Sequence, residues 1–360
     1  MKTIRYEELL RFTRSLLEKV GLDKETGEAV AYGLCETSLR GVDSHGVRLL
    51  SHYARSALTG RKNPRPKYRF EKIFPAFGYL DADNTYGHAA GGKAIDLAMP
   101  IAEEFGIAAI AVTNSSHPGA LATYVLRAAR QGYIAFAFTH ADSLLCTYGG
   151  TRAFFGTNPI CMAAPRENSE PFCLDMAPTP ISWNKLLGSR ERNEQLSGKY
   201  AADHKGNETD DPHHATTLLP IGDYKGYGIA AMVEVLCGIL TGMPFGRDIP
   251  AMFTSPMDRP RHLGQFYLVM RSDVCMSQLD FENRMKRMSE QVANEPVKPG
   301  EEVLLPNDVQ IREEKRRRAE GIPVEPRLFR EFVELSQQFG VDIEILSDIK
   351  TDAEVNQSKT

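Results

Sequence analysis

Two short, unbroken apolar runs do most to limit what this 360-residue chain can fold into. Ile107-Ala108-Ala109-Ile110-Ala111-Val112 and Tyr133-Ile134-Ala135-Phe136-Ala137-Phe138 show no alternation that would leave one face wet. A strand of this kind has to be covered on both faces, as in α/β sheets. A helical pattern over about Ala120–Ala129 separates them, so the spacing predicts a strand-helix-strand unit with a parallel pair and a right-handed crossover. Strand-like stretches at Phe77–Leu80, Ile160–Ala164, Phe172–Asp175 and Phe266–Met270 extend the expected sheet. Small-residue helices over about His88–Glu104 and Gly228–Leu240 would pack on it.

The ends of the chain read differently. Leu9, Leu10, Phe12, Leu16, Leu17 and Val20 form a helical stripe that Gly21 stops, and further helical patterns cover about Glu25–Leu39 and Val47–Leu58. Thr59–Pro66 reads as a linker. Beyond about Ser277 the pattern is helical again, interrupted near Pro296–Pro306. The expected organisation is an N-terminal helical part over 1–72, an α/β domain over 73–276, and a C-terminal helical part over 277–350 that packs with the N-terminal part. Residues 351–360 are a tail. A chain of this length suits two associated cores, and a cleft between them is the expected ligand site.

Composition removes several classes of function. The formal net charge is −4 with 25% charged residues, so no global field draws in nucleic acid. The basic run Lys315-Arg316-Arg317-Arg318 follows Glu313-Glu314 and precedes Glu320, the pattern of a solvated helix face. The six cysteines form no C-x-x-C pair and sit mostly in apolar runs, so they read as reduced small hydrophobes. Acidic residues near Met1 and the lack of any long apolar stretch give no leader and no membrane span, and the expected setting is the cytoplasm. His213-His214 lies in a polar loop without metal-ligand spacing, so no metal is expected. Neither a G-x-S-x-G elbow nor a Walker-type phosphate loop occurs.

Three constellations remain. Gly226-Tyr227-Gly228-Ile229-Ala230-Ala231 fits a relaxed dinucleotide fingerprint, but Pro220–Lys225 before it is not a strand, so it fails as a Rossmann motif. It reads either as a helix start that holds an anion beside Lys225, or as close helix-sheet packing. Arg40-Gly41-Val42-Asp43-Ser44-His45-Gly46-Val47-Arg48 supplies a histidine able to move a proton near neutral pH. Ser44 could orient it, and Arg48 brings a planar fork suited to a carboxylate. The alternative is a capped turn between helices. Asn114-Ser115-Ser116-His117-Pro118-Gly119-Ala120 follows the first apolar run, where ligands bind in open α/β sheets, although turn formation alone explains its composition.

Taken in order, several segments resemble one family. They are Arg40–Gly46, Ser116–Gly119, Gly156-Thr157-Asn158-Pro159, Asp175-Met176-Ala177, Lys225–Gly228, Gly242-Met243-Pro244-Phe245-Gly246 and Pro299-Gly300-Glu301. Together they are similar to the type-2 malate/L-lactate dehydrogenases. The resemblance implies a sulfolactate dehydrogenase-like fold: a non-Rossmann nicotinamide-binding α/β domain plus a helical domain built from both chain ends. It also implies a homodimer that acts on a small 2-hydroxy or 2-oxo acid. By it, His45 and His117 are the candidate proton donor or acceptor, with Ser44 beside them, and Arg48 holds the substrate carboxylate. Asp175, Met176, Ala177, Lys225, Pro299, Gly300 and Glu301 contact the cofactor, and Asp203 matches an acid of the loop that follows. Three segments depart from the pattern: Pro118, His140-Ala141-Asp142-Ser143, and Asn184-Lys185. Asp142 would suit a ribose hydroxyl and repel a 2′-phosphate, which points to NAD, with NADP as the alternative. Malate or lactate is the family's default substrate. The rival readings are ureidoglycolate, then a cyclic imine such as piperideine-2-carboxylate, then a silent small-ligand-binding protein.

Overall fold

Helix caps and glycine stops set the element boundaries in the computed structural model, which describes residues 2–346. The chain opens with β1 (Lys2–Ile4), α1 (Tyr6–Lys19), α2 (Lys24–Leu39) and α3 (Leu50–Leu58). It continues through β2 (Arg69–Phe74), β3 (Phe77–Asp81), α4 (Gly87–Phe105), β4 (Ile107–Ser115), α5 (Ala122–Ala129) and β5 (Tyr133–Thr139). Next come β6 (Leu145–Cys146), β7 (Ala153–Phe155), β8 (Ile160–Arg166), β9 (Ser169–Met176), α6 (Trp183–Arg192), β10 (Ala201–Ala202), β11 (Glu208–Thr209) and β12 (Thr217–Leu218). The last elements are α7 (Tyr224–Glu234), β13 (Leu263–Arg271), α8 (Gln278–Ala293), α9 (Asp308–Glu320), β14 (Ile322–Val324) and α10 (Pro326–Phe339). Asp23 caps α2 by accepting from the Thr26 amide at 2.8 Å, worth about 1 kcal/mol. The tail read over 351–360 lies outside the described residues.

The main sheet has seven strands in the order β2-β3-β4-β13-β5-β8-β9. β4 and β5 do run in the same direction, but they are not neighbours. β13 lies between them, antiparallel to both, with Tyr267 opposite Ile110 on one side and Ala137 on the other. The expected β4–β5 pair is therefore corrected: α5 carries the chain across two strand spacings, roughly 10 Å, and leaves a slot for a strand from far along the sequence. The parallel pair that does form is β3 with β4, joined through α4. The rest of the sheet is antiparallel, a mixed arrangement unlike a doubly wound parallel sheet.

Two large apolar cores flank the site. One lies between the sheet and α4 and α5, built from small residues such as Ala90, Ala94, Ala98, Ala108 and Ala137 with Tyr124 and Tyr267. The other draws Ile4, Phe12 and Leu16 from the chain start together with Ile322, Phe332 and Leu335 from its end. Antiparallel pairing of β1 with β14 ties those ends together, Ile4 opposite Ile322. α8 behaves otherwise: it follows β8, with Lys286 3.2 Å from Glu167 and Arg166 3.5 Å from Ser289.

Where one long helix was expected over Gly228–Leu240, α7 gives way to a wide π turn at Val235–Ile239. Gly264 of β13 explains the fit, since a Cβ there would stand 1.8 Å from the Cys237 carbonyl oxygen. A smaller five-stranded sheet, β11-β10-β12-β6-β7, lies outside the expectations because its strands are two or three residues long. Among the described residues no helix is long and apolar enough to cross a membrane, and no metal-binding cluster is present.

Candidate active site

The segment Arg40–Arg48 divides into fasteners and chemistry. The buried Arg317 of α9 donates to both Asp43 oxygens, at 2.6 and 2.8 Å, and to the Ser38 carbonyl. Arg40 pairs with Glu314 at 2.7 Å and with Asn307. The basic run of α9 is thus only partly a solvated face: Arg316 and Arg318 make i,i+4 pairs with Glu320 and Glu314, whereas Arg317 clamps the turn before His45. Asn184 of α6 donates to the Ser44 carbonyl at 2.8 Å. Held from both sides, the turn presents Ser44 Oγ 2.9 Å from His45 Nδ1.

His117 enters from the loop after β4 and stacks on His45, with ring centroids 5.6 Å apart and planes 24° off parallel. The hydroxyl of Tyr53, on α3 and fully buried, lies 2.6 Å from His117 Nδ1 and 3.4 Å from the His117 carbonyl. His88 of α4 stands edge-on to Tyr53 at 5.1 Å. Burial pushes His45 down to about 4 and His88 to about 3. His117 falls well below the usual imidazole range, first through burial and then through the charges of His45 and Arg261. All three are neutral at pH 7, and a stacked imidazole pair this close accommodates a proton on one ring only.

His45 and His117 open on one cavity of about 870 Å³ where the helical layer meets the sheet, within the roughly 300–1,000 Å³ usual for ligand sites. Ser44, His45 and His117 line it, and so do Asp142, Asp175, Met176 and Ala177. Asp175 projects from the end of β9 and accepts from the Ala122 amide at 2.8 Å. Its carboxylate is open to the cavity, but surrounding protein keeps bulk water away and pushes it up to about 6. Asp142 is already engaged: it pairs with buried Arg261 and accepts from the Met252 amide at 3.3 Å. Asp142 lines the cavity with its oxygens so engaged, and Asp175 is the less engaged of the two carboxylates.

Other expected residues lie off this cavity. Arg48 is exposed and turned toward Glu191 of α6 at 3.6 Å. Lys225 is exposed in the first turn of α7, and Pro299, Gly300 and Glu301 form an exposed stretch. Pro306, Asn307 and Gln310 line the cavity instead. The Asp203 carboxylate accepts from the Lys205 and Asn207 amides in the turn after β10, a structural role. Asn158 of the Gly156–Pro159 segment is also structural, binding the Ala141 amide, the Ala230 carbonyl and Glu234. Sequence reasoning missed Tyr53, His88 and Arg261, which stand among helical or turn residues with no local chemical signal.

A pair of neutral imidazoles and a guanidinium line one cavity with an open carboxylate, a polar set suited to a small acid beside a larger ligand. The model of the malate/L-lactate dehydrogenase family matches residues 4–333, and the chain belongs to that family. Its relatives include dehydrogenases named for NAD(+) and for NADP(+). It is 33% identical over 319 residues to the ureidoglycolate dehydrogenase (NAD(+)) of Escherichia coli strain K12, covering 88% of this chain and 91% of that protein. Identity to the malate dehydrogenase of Pyrococcus abyssi is 30% over 346 residues, 93% of this chain and 94% of that one. The solved sulfolactate dehydrogenase of Methanocaldococcus jannaschii superposes with a TM-score of 0.89 at 26% identity, over 96% of this chain and 99% of that chain.

Proposed function

We propose that the chain interconverts a small 2-hydroxy acid and its 2-oxo acid with a preference for NAD, His117 moving the proton and Arg261 holding the carboxylate. The observation that carries this reading is the stacked His45–His117 pair with buried Arg261 on the wall of a single cavity. In the oxidative direction His117 Nε2 takes the hydroxyl proton. This requires the neutral tautomer with its hydrogen on Nδ1, which donates to Tyr53 throughout, while the Tyr53 hydrogen turns to the His117 carbonyl, so the hydrogen-bond chain closes without a water. Of the Arg261 nitrogens, Nε is bound to the Pro250 carbonyl and Nη2 to Asp142, which leaves Nη1 for the substrate. Arg48, the family-based choice, serves the rim beside Glu191. Asp175 takes a ribose hydroxyl and disfavours a 2′-phosphate. A nicotinamide bound here would supply the acceptor for the C2 hydride. It is held by this mixed sheet and not by a Rossmann unit.

Malate or lactate is the first substrate reading. Ureidoglycolate is the second, favoured by the identity to the Escherichia coli enzyme. Turnover of a panel of 2-hydroxy acids with NAD and NADP, with ureidoglycolate and piperideine-2-carboxylate included, tests the proposal; no turnover of any acid with either coenzyme would sink it. We further read the chain as a cytoplasmic homodimer. α7 and its π turn leave Met232, Val235, Ile239 and Leu240 exposed, a stripe that a second copy would cover. Light scattering that gives a monomer mass would refute the dimer.

A further inference from the structure

Lys62 comes from the segment read as a linker, yet it is only 2% exposed. Its Nζ has no hydrogen-bond partner among the described residues. It lies 3.9 Å from the centre of the Tyr53 ring and 4.8 Å from that of Tyr86. Tyr86 in turn donates to the Tyr53 carbonyl at 2.9 Å, so the amine rests on two aromatic faces fixed to each other. Buried ammonium groups are costly and are normally paired. Here the tyrosine faces provide the compensation, and the hydroxyl of one of them holds His117.

We propose that Lys62 is a positioning residue for the reaction: its amine, seated on Tyr53, takes the proton that His117 would otherwise hold and so keeps His117 a base. This rests on the reading of His117 as the proton-transferring group. The groups that face His117 are His45 from the turn after α2, Tyr53 from α3, Lys62 from the segment after it, His88 from α4, and Arg261 from the loop before β13. Lys62 is itself faced by Arg61 and Arg261. Asp142, the carboxylate that acts on Arg61 and Arg261, is already paired with Arg261. The cluster is therefore short of negative charge, and two protons close together are disfavoured. Burial and the charges of Arg261 and Arg61 push the Lys62 amine well below its ordinary range, as burial does His117; the amine starts about four pH units the more basic, so where the cluster holds one proton it resides on Lys62, and His117 stays neutral. The Tyr53–His117 hydrogen bond makes the two groups a single unit.

Lys62→Met keeps the stem and removes the amine. The pH profile of kcat/KM for hydroxy acid oxidation is expected to shift its acidic limb upward by about one pH unit, because His117 then gains a proton more readily. Lys62→Arg, which retains the charge, should restore the limb. In a Tyr53→Phe background, which keeps the ring under the amine, the Met substitution should still move the limb, because the charge acts on His117 through space. An unmoved limb in a folded Lys62→Met protein, or an equal loss at every pH, would overturn the proposal. If the Met variant does not fold, nitrogen-15 histidine spectra of the unaltered protein decide: His117 neutral from about pH 6 upward is required, and a charged His117 at neutral pH refutes it. Failure of the unaltered protein to turn over any acid would be failure of the functional reading, a separate outcome.

Discussion

The two walls of the cavity are built on opposite plans. The wall under the helical layer joins His45 and Lys62 with His88, His117 and Arg261 from the sheet domain's α4 and loops in a buried cluster, where Asp142 is already paired. The sheet wall offers Asp175 at a strand end, anchored by backbone amides at the start of α5. Proton transfer needs groups whose charge is held back by burial, and that wall supplies them through packing. Dinucleotide binding needs a fixed edge with a free acceptor, and backbone geometry supplies it. The difference predicts that substitutions on the helical wall change rate and pH dependence, while those on the sheet wall change coenzyme affinity.

The largest expected effect is His117→Ala. kcat/KM should fall about 10²–10⁴-fold in both directions while NADH affinity, read by fluorescence titration, holds. Equal losses of rate and coenzyme affinity would erase the distinction between the walls. Arg261→Lys should raise KM for the acid on the order of tenfold to a hundredfold, against about twofold for Arg48→Lys. The reverse ranking in steady-state kinetics would return the carboxylate to Arg48. Asp175→Asn should move the NADP-to-NAD ratio of kcat/KM by about tenfold toward NADP, with the acidic limb unchanged.

Stability should follow pH with the sign that neutral buried histidines impose. The ordinary imidazole value of 6.5 falls to about 4 at His45 and about 3 at His88, and His52 and His117 are lowered as well. Below pH 6.5 the unfolded chain gains protons that the fold refuses, so stability present above 6.5 is lost as pH falls toward 4. Asp175, raised from 3.8 to about 6, acts the opposite way in that window, alone against four. Calorimetry should show Tm declining there. The smallest effect is expected for Glu301→Ala, with coenzyme affinity unchanged within about 0.5 kcal/mol.

Local signals carried much of the architecture. The unbroken run Ile107–Val112, the stripe from Leu9 to Val20 and the helix over Ala122–Ala129 are where periodicity places them, because burial on one or two faces writes itself directly into residue order. His45 and His117 stood out for a related reason: each lies at the end of an element, where a polar residue interrupts an apolar pattern, whereas Asp175 came only from the family resemblance. Their family resemblance added the cofactor and the reaction class.

Adjacency was not legible. Nothing within Leu263–Arg271 says that it slips between β4 and β5, since a strand's neighbours are set by the competition of whole faces for cover. Nor does Lys62, in a polar stretch of prolines and charges, announce that it ends on the face of Tyr53. The sequence by itself determined which segments must be buried and which loop ends hold polar residues, since both depend on neighbours a few residues away. Tertiary structure alone decided which charges meet: it paired Asp142 with Arg261 and Asp43 with Arg317, left Asp175 open, and set an amine behind His117. Such encounters join residues tens to hundreds of positions apart, and their energies exist only once water has been removed from between them.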